Sequence, residues 1–222
     1  MNTTAKTINP FWEEIEHLFQ DSHQASWDVS FERHQNHWSA RDTCCRRYAW
    51  AIPDPDSLAF VAEHLGTRAI EIGSGNGYWA WQLSQLGIDI LAYDAAPPDR
   101  VPNMYFAPRG EVSNPKTLIK TWHPVRQGGP EKLTEHPDRT LLLCWPPYAS
   151  SMADECLNAY KGNRFIFIGE QGGCTGDNAF FERLGKEWEE IAEHSIKQWE
   201  GLHDFITVYR RQKEESTTWT QD

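Results

Sequence analysis

The chain has 222 residues, of which 39% are hydrophobic and 24% charged, with a formal net charge of −11. That length suits one domain able to bury its own core. The acidity argues against a nucleic-acid partner, because displacing counterions from phosphates needs a basic surface and the only arginine pairs, Arg46-Arg47 and Arg210-Arg211, are isolated.

In chain order, Phe11, Trp12, Ile15, Leu18 and Phe19 recur at helical spacing behind the start signal Asn9-Pro10. Residues 21–47 are rich in His, Trp and Arg and show no clear period. A second helix is predicted from Asp54-Pro55, with Asp54 as N-cap, Pro55 at the first helical position, and Leu58, Val61 and Leu65 turned inward. From residue 68 strands and helices alternate. Strands are predicted over 69–72, 88–93, 140–145 and 164–168, with a weaker one near Val125. Helices are predicted over 78–86, 152–160 and 180–188, and a closing hairpin over 190–199 and 205–209. This alternation implies an α/β fold with a mostly parallel sheet, helices on both faces and one antiparallel strand. The expected organisation is a helical N-terminal extension over 1–54, a core domain over 55–211 and a polar tail over 212–222.

The five cysteines, Cys44, Cys45, Cys144, Cys156 and Cys174, are odd in number and form no CxxC pair. No partner ligand lies at metal spacing from Cys44-Cys45, and His34 and His37 have no supporting context, so no metal is expected. The polar start, Met1 to Pro10, has no apolar signal core, and no stretch is long or apolar enough to span a bilayer. The expectation is a cytoplasmic protein with free thiols and no membrane partner.

The most informative segment is Glu71-Ile72-Gly73-Ser74-Gly75-Asn76-Gly77-Tyr78, between an apolar strand and a helix. Glycines let the backbone turn sharply under a ligand, and the free N–H groups of a helix start then face it. Dinucleotide sites want GxGxxG with a small third residue, whereas here Gly73, Gly75 and Gly77 are followed by Tyr78. A phosphate loop would need Gly-Lys-Ser/Thr, which is absent. Asp94 ends the next strand, 21 residues beyond Gly73, where an acid can accept the hydroxyls of a ribose.

This pattern, Glu-x-Gly-x-Gly-x-Gly with a downstream Asp, resembles the first motif of class I S-adenosylmethionine (SAM)-dependent methyltransferases, over roughly residues 55–210. The resemblance implies a Rossmann-like sheet with SAM as cosubstrate. It places Gly73, Gly75 and Gly77 under the methionine part, Asp94 at the ribose and Glu71 near the amino-acid end. The acid that often reads adenine in that family has no counterpart in Val125-Arg126-Gln127-Gly128-Gly129.

On such a sheet, ligands sit beyond the C-terminal ends of the parallel strands. Trp145-Pro146-Pro147-Tyr148 is similar to the Asn/Asp-Pro-Pro-Tyr loop of amino-methylating enzymes, but Trp145 offers only a donor N–H where those carry an acceptor. Tyr148 is a candidate for stacking on a planar substrate. Tyr48, Trp50, Trp145, Tyr148 and Trp199 are candidates for a cage around a sulfonium, and residues 48–53 for a lid. His203, with Asp204 beside it, and Glu170 are candidate bases. Three functions follow. The first is methyl transfer from SAM to a small molecule. The second is cyclisation of SAM to azetidine-2-carboxylate with release of methylthioadenosine, as in bacterial enzymes of methyltransferase-like fold. The third is a non-catalytic SAM-binding module.

Overall fold

The computed structural model describes residues 7–19 and 27–213. Seven strands form one sheet: β1 (Arg68–Ile72), β2 (Asp89–Asp94), β3 (Val125–Gln127), β4 (Thr140–Cys144), β5 (Arg164–Gly169), β6 (Trp188–Ser195) and β7 (Phe205–Arg211). Their order is β3-β2-β1-β4-β5-β7-β6. Neighbours from β3 to β5 are parallel, and β7 runs antiparallel to both β5 and β6. This is the expected Rossmann-like sheet with its single antiparallel strand.

Side chains alternate between two cores, as the pleat requires. Ala69, Leu142, Ile166 and Val208 face one side, where helices α3 (Pro55–Leu65) and α4 (Tyr78–Gln85) cover them. Ile70, Leu141, Leu143, Phe165 and Phe167 face the other, under α5 (Met152–Ala159) and α6 (Asn178–Glu187). The start of α3 follows its sequence signals: the Asp54 carboxylate accepts the N–H groups of Asp56 and Ser57, and Pro55 occupies the first turn.

The N-terminal segment joins the first core. Helix α1 (Pro10–Ile15) buries Phe11 and Ile15 there. Residues 27–47, read from sequence as unpatterned, form the 21-residue helix α2 (Trp27–Arg47). The hairpin is also corrected: its first strand ends at Ser195, and Ile196 and Trp199 turn away into the core shared with Phe11. The β4 strand stops one residue early, because Trp145 takes a positive φ of 51°. The expected tail lies outside the described residues from 214 onward. Among the described residues, no helix is long and apolar enough to cross a membrane.

Candidate functional site

One cavity of about 900 Å³ lies along the C-terminal ends of β2, β1 and β4, as the topology of an open parallel sheet predicts. Its two ends are built differently. At the first, the chain leaves β1 at Ile72 and turns through Gly73, Gly75 and Gly77, all at positive φ, into α4. The N–H groups of Gly73 and Ser74 donate to the Tyr93 carbonyl, tying the turn to β2. Asp94 closes it: one carboxylate oxygen accepts the Gly75 N–H at 2.8 Å and the other accepts the Ala96 N–H at 2.8 Å. Burial pushes the Asp94 carboxyl up, against the pull of those two donors.

A Cβ on Gly75 would lie 2.3 Å from the Phe106 ring, so glycine is required by packing as well as by φ. Glu71, buried to 2% exposure, lines the same space. Burial first, and the Asp94 charge second, raise its carboxyl to about 8, and its Oε2 has no hydrogen-bond partner. Gly128, Gly129 and Pro130 continue the wall past β3. All five residues that the sequence assigned to this end, Glu71, Gly73, Gly75, Gly77 and Asp94, meet at the turn, and all but Gly77 line the cavity.

The second end is aromatic. Trp145 follows β4 and stacks on Trp50, with ring centroids 5.6 Å apart and planes 27° apart. Tyr105 meets Trp50 edge-on at 6.4 Å. The Trp145 indole donates to Asp204 Oδ2 at 3.1 Å. Asp204 is buried, its Oδ1 has no partner, and burial raises its carboxyl to about 7 despite that indole bond. Beside Trp145, Pro147 pairs with Thr175, and the Pro146 carbonyl accepts the Gly176 N–H, so the Pro-Pro loop is laced to the loop after β5. Tyr148 stands at the mouth, 72% exposed.

Several sequence candidates fall elsewhere. Glu170 does not line the cavity. Its carboxylate accepts the N–H groups of His203 at 2.7 Å and Cys174 at 2.8 Å, clamping two loops. Burial alone would raise that carboxyl, but these donors outweigh it and hold it below the usual carboxylate range. His203 is 80% exposed at its side chain and also lies off the cavity, while Asp204 turns to Trp145 instead of orienting the imidazole. Trp199 is core: it stacks with Phe11 and meets His37 edge-on. Tyr48 lines the cavity but is stacked on Phe11, and its hydroxyl donates to Glu14. Of residues 48–53, Tyr48, Ala49 and Trp50 line the cavity; the segment is held to α4 by Trp79 Nε1 donating to the Ala51 carbonyl, and Arg47 just before it is held to the turn by Asn76 Nδ2 donating to its carbonyl.

Sequence reasoning missed the roof, where Asn103, Met104, Tyr105 and Phe106 cover the turn. It also missed Arg41 and the Asp204 contact to Trp145. No group of three or more His, Cys, Asp or Glu placed to hold a metal ion occurs among the described residues.

No family model and no curated protein sequence matches this chain. Solved structures do align with it. An rRNA methylase from Streptococcus thermophilus matches at 15% identity and a TM-score of 0.40, over 71% of this chain and 96% of that one. A putative tRNA (m1A22) methyltransferase from Streptococcus pneumoniae, in complex with SAM, matches at 13% and 0.43, over 73% and 75%. A precorrin-6y C5,15-methyltransferase from Geobacter metallireducens matches at 12% and 0.41, over 73% and 90%. None of these three reaches a TM-score of 0.5, and the reading of this site rests on its own residues.

Proposed function

We propose that this chain binds SAM and transfers its methyl group to a small-molecule acceptor. The observation that carries the reading is the convergence of Glu71, the Gly73–Gly77 turn and Asp94 on one cavity at the ends of β1 and β2. These groups fit the ligand. Each Asp94 oxygen accepts one backbone N–H and keeps a further acceptor position, which suits two ribose hydroxyls. The unpartnered oxygen of buried Glu71 suits an ammonium group, which would also favour its ionised form.

When bound, SAM supplies a methyl group on a sulfonium centre. Trp50, Trp145 and Tyr105 line the aromatic end of the cavity, and a ring face left open there would attract such a cation by about 0.5–2 kcal/mol. Tyr148 stands where an acceptor would enter. With Glu170 and His203 off the cavity, alignment of the acceptor's own nucleophile carries the chemistry; effective positioning supplies roughly 7–11 kcal/mol in favourable systems. Two features support a small acceptor without nucleic acid: the volume, within the range of small-molecule sites, and the net charge of −11.

Incubation with SAM alone, then with a panel of small acceptors, tests the reading, with products identified by mass. SAM should persist until an acceptor is added and then become S-adenosylhomocysteine. Release of methylthioadenosine without an acceptor would replace methyl transfer by cyclisation, in which the α-amine attacks Cγ and expels the thioether. Labelled methyl appearing in tRNA or rRNA would sink the small-molecule acceptor.

A further inference from the structure

Arg41 is the only lysine or arginine among the described residues that line the cavity. It comes from α2 and packs its guanidinium over Trp38 at 5.2 Å and Trp50 at 5.8 Å. Its Nε is buried without a hydrogen-bond partner, and among the described residues Arg41 forms no ion pair. A guanidinium carries five donors and no acceptor, and a buried donor left unmet, as Nε is here, is costly. Of the nearby carboxylates, Glu170 accepts two backbone N–H groups, and Asp204 accepts the Trp145 indole through Oδ2 while its buried Oδ1 makes no hydrogen bond to Arg41.

Its place along the sheet matters as much as its charge. Arg41 touches Trp50, which stacks on Trp145 beyond β4, and its charge acts on Cys174 beyond β5. Asp94 lies beyond β2, and the order between them is β2-β1-β4-β5. At about 4.8 Å per strand, the two ends are separated by roughly 10–14 Å. A nucleoside held at Asp94 therefore leaves Arg41 at the end where an acceptor enters. A planar guanidinium pairs with a carboxylate through two parallel N–H···O bonds, and Trp50, Trp145 and Tyr105 offer apolar faces beside it.

We infer that Arg41 makes the β4/β5 end of the cavity a carboxylate subsite, which selects aromatic or apolar carboxylic acids as acceptors. The inference rests on the proposed SAM reading for the word acceptor, but the subsite itself does not need it. The same chemistry has a second source, the carboxylate of SAM.

Calorimetric titration of wild-type, Arg41→Gln and Arg41→Lys protein with benzoate, SAM and decarboxylated SAM separates these. Benzoate is titrated with and without S-adenosylhomocysteine. The expected result is a loss of benzoate affinity of at least about tenfold in Arg41→Gln, and a smaller loss in Arg41→Lys, which keeps the charge without the planar fork. SAM affinity should stay within about twofold in both variants. If SAM itself weakens about tenfold in Arg41→Gln while decarboxylated SAM binds both proteins alike, the subsite stands and serves the cosubstrate. Benzoate and SAM affinities unchanged in both variants, or a wild-type protein that takes up neither ligand, would overturn it. Benzoate bound through Arg41 with no SAM binding would keep the subsite and sink the SAM reading. Arg41→Lys keeps the test open should Arg41→Gln not fold, which circular dichroism would reveal.

Discussion

The two ends of the cavity contrast in how they are made. The β1/β2 end is local: Glu71, the glycine turn and Asp94 lie within 24 consecutive residues, and backbone N–H groups and two acids do its work. The β4/β5 end is assembled from distant parts of the chain, with Arg41 and Trp50 before the sheet, Trp145 after β4 and Asp204 before β7. A motif reports the first kind of site because one strand–turn–helix unit fixes its geometry. The second kind depends on long-range packing that has no spacing rule. Substitutions at the two ends should therefore fail in different ways.

The largest effect is expected at the glycine turn. Gly75→Val places a branched side chain at φ +56° against Phe106 and should abolish SAM binding while lowering the melting temperature. Gly87→Ala is the matched control, since Gly87 has φ +87° but open space around a Cβ. It should cost roughly 1–2 kcal/mol by denaturation and leave SAM affinity unchanged. Equal SAM binding by Gly75→Val and Gly87→Ala would remove the turn from the site.

Next in size is a pH dependence from the acid at the same end. Folded Glu71 holds its proton up to about 8, whereas the unfolded chain releases it near its ordinary value of 4.5. Between those values the native state binds more protons, so stability is full at the acid side and falls as pH rises, by up to about 1.4 kcal/mol per pH unit. Asp204 adds a second falling contribution that ends near 7. Urea denaturation across pH 5 to 8 should show the slope, and Glu71→Gln should flatten it, most visibly between 7 and 8. A slope unchanged in Glu71→Gln would place the proton elsewhere.

Smaller effects belong to the aromatic end. Trp145→Phe keeps an aromatic ring but removes the indole N–H, leaving both Asp204 oxygens without partners; about 1–3 kcal/mol of stability should be lost. Asp204→Asn retains an acceptor for the indole and sheds a buried charge, so it should change stability by less than about 1 kcal/mol at neutral pH. A larger loss in Asp204→Asn than in Trp145→Phe would show that the carboxylate, and not the indole bond, matters there.

The same contrast explains what the sequence disclosed. The strand–helix alternation and the antiparallel strand followed from apolar periodicity and turn residues, and the Gly–Asp pair followed from one motif. Helix α2 escaped because its polar 21 residues show no clear apolar stripe. Trp199 was misplaced because a tryptophan's chemistry suits a core and a cage equally, and only packing beside Phe11 and His37 distinguishes them. The His203-Asp204 neighbourhood suggested a base with its orienting acid, but Asp204 reaches Trp145, 59 residues away, and no local spacing encodes that contact. Arg41 lay in the unpatterned stretch, where nothing distinguished it from Arg46 or Arg47.

On the proposed function, the Gly73–Gly77 turn and Asp94 hold SAM. Isothermal titration of wild-type and Asp94→Ala protein with SAM, with NADH as a comparison ligand, tests it most directly. The prediction is micromolar SAM affinity, about −8 kcal/mol, much weaker NADH binding, and at least a roughly tenfold loss of SAM affinity in Asp94→Ala as the ribose hydroxyls lose their acceptor. SAM binding unchanged in Asp94→Ala, or NADH bound as tightly as SAM, would contradict it.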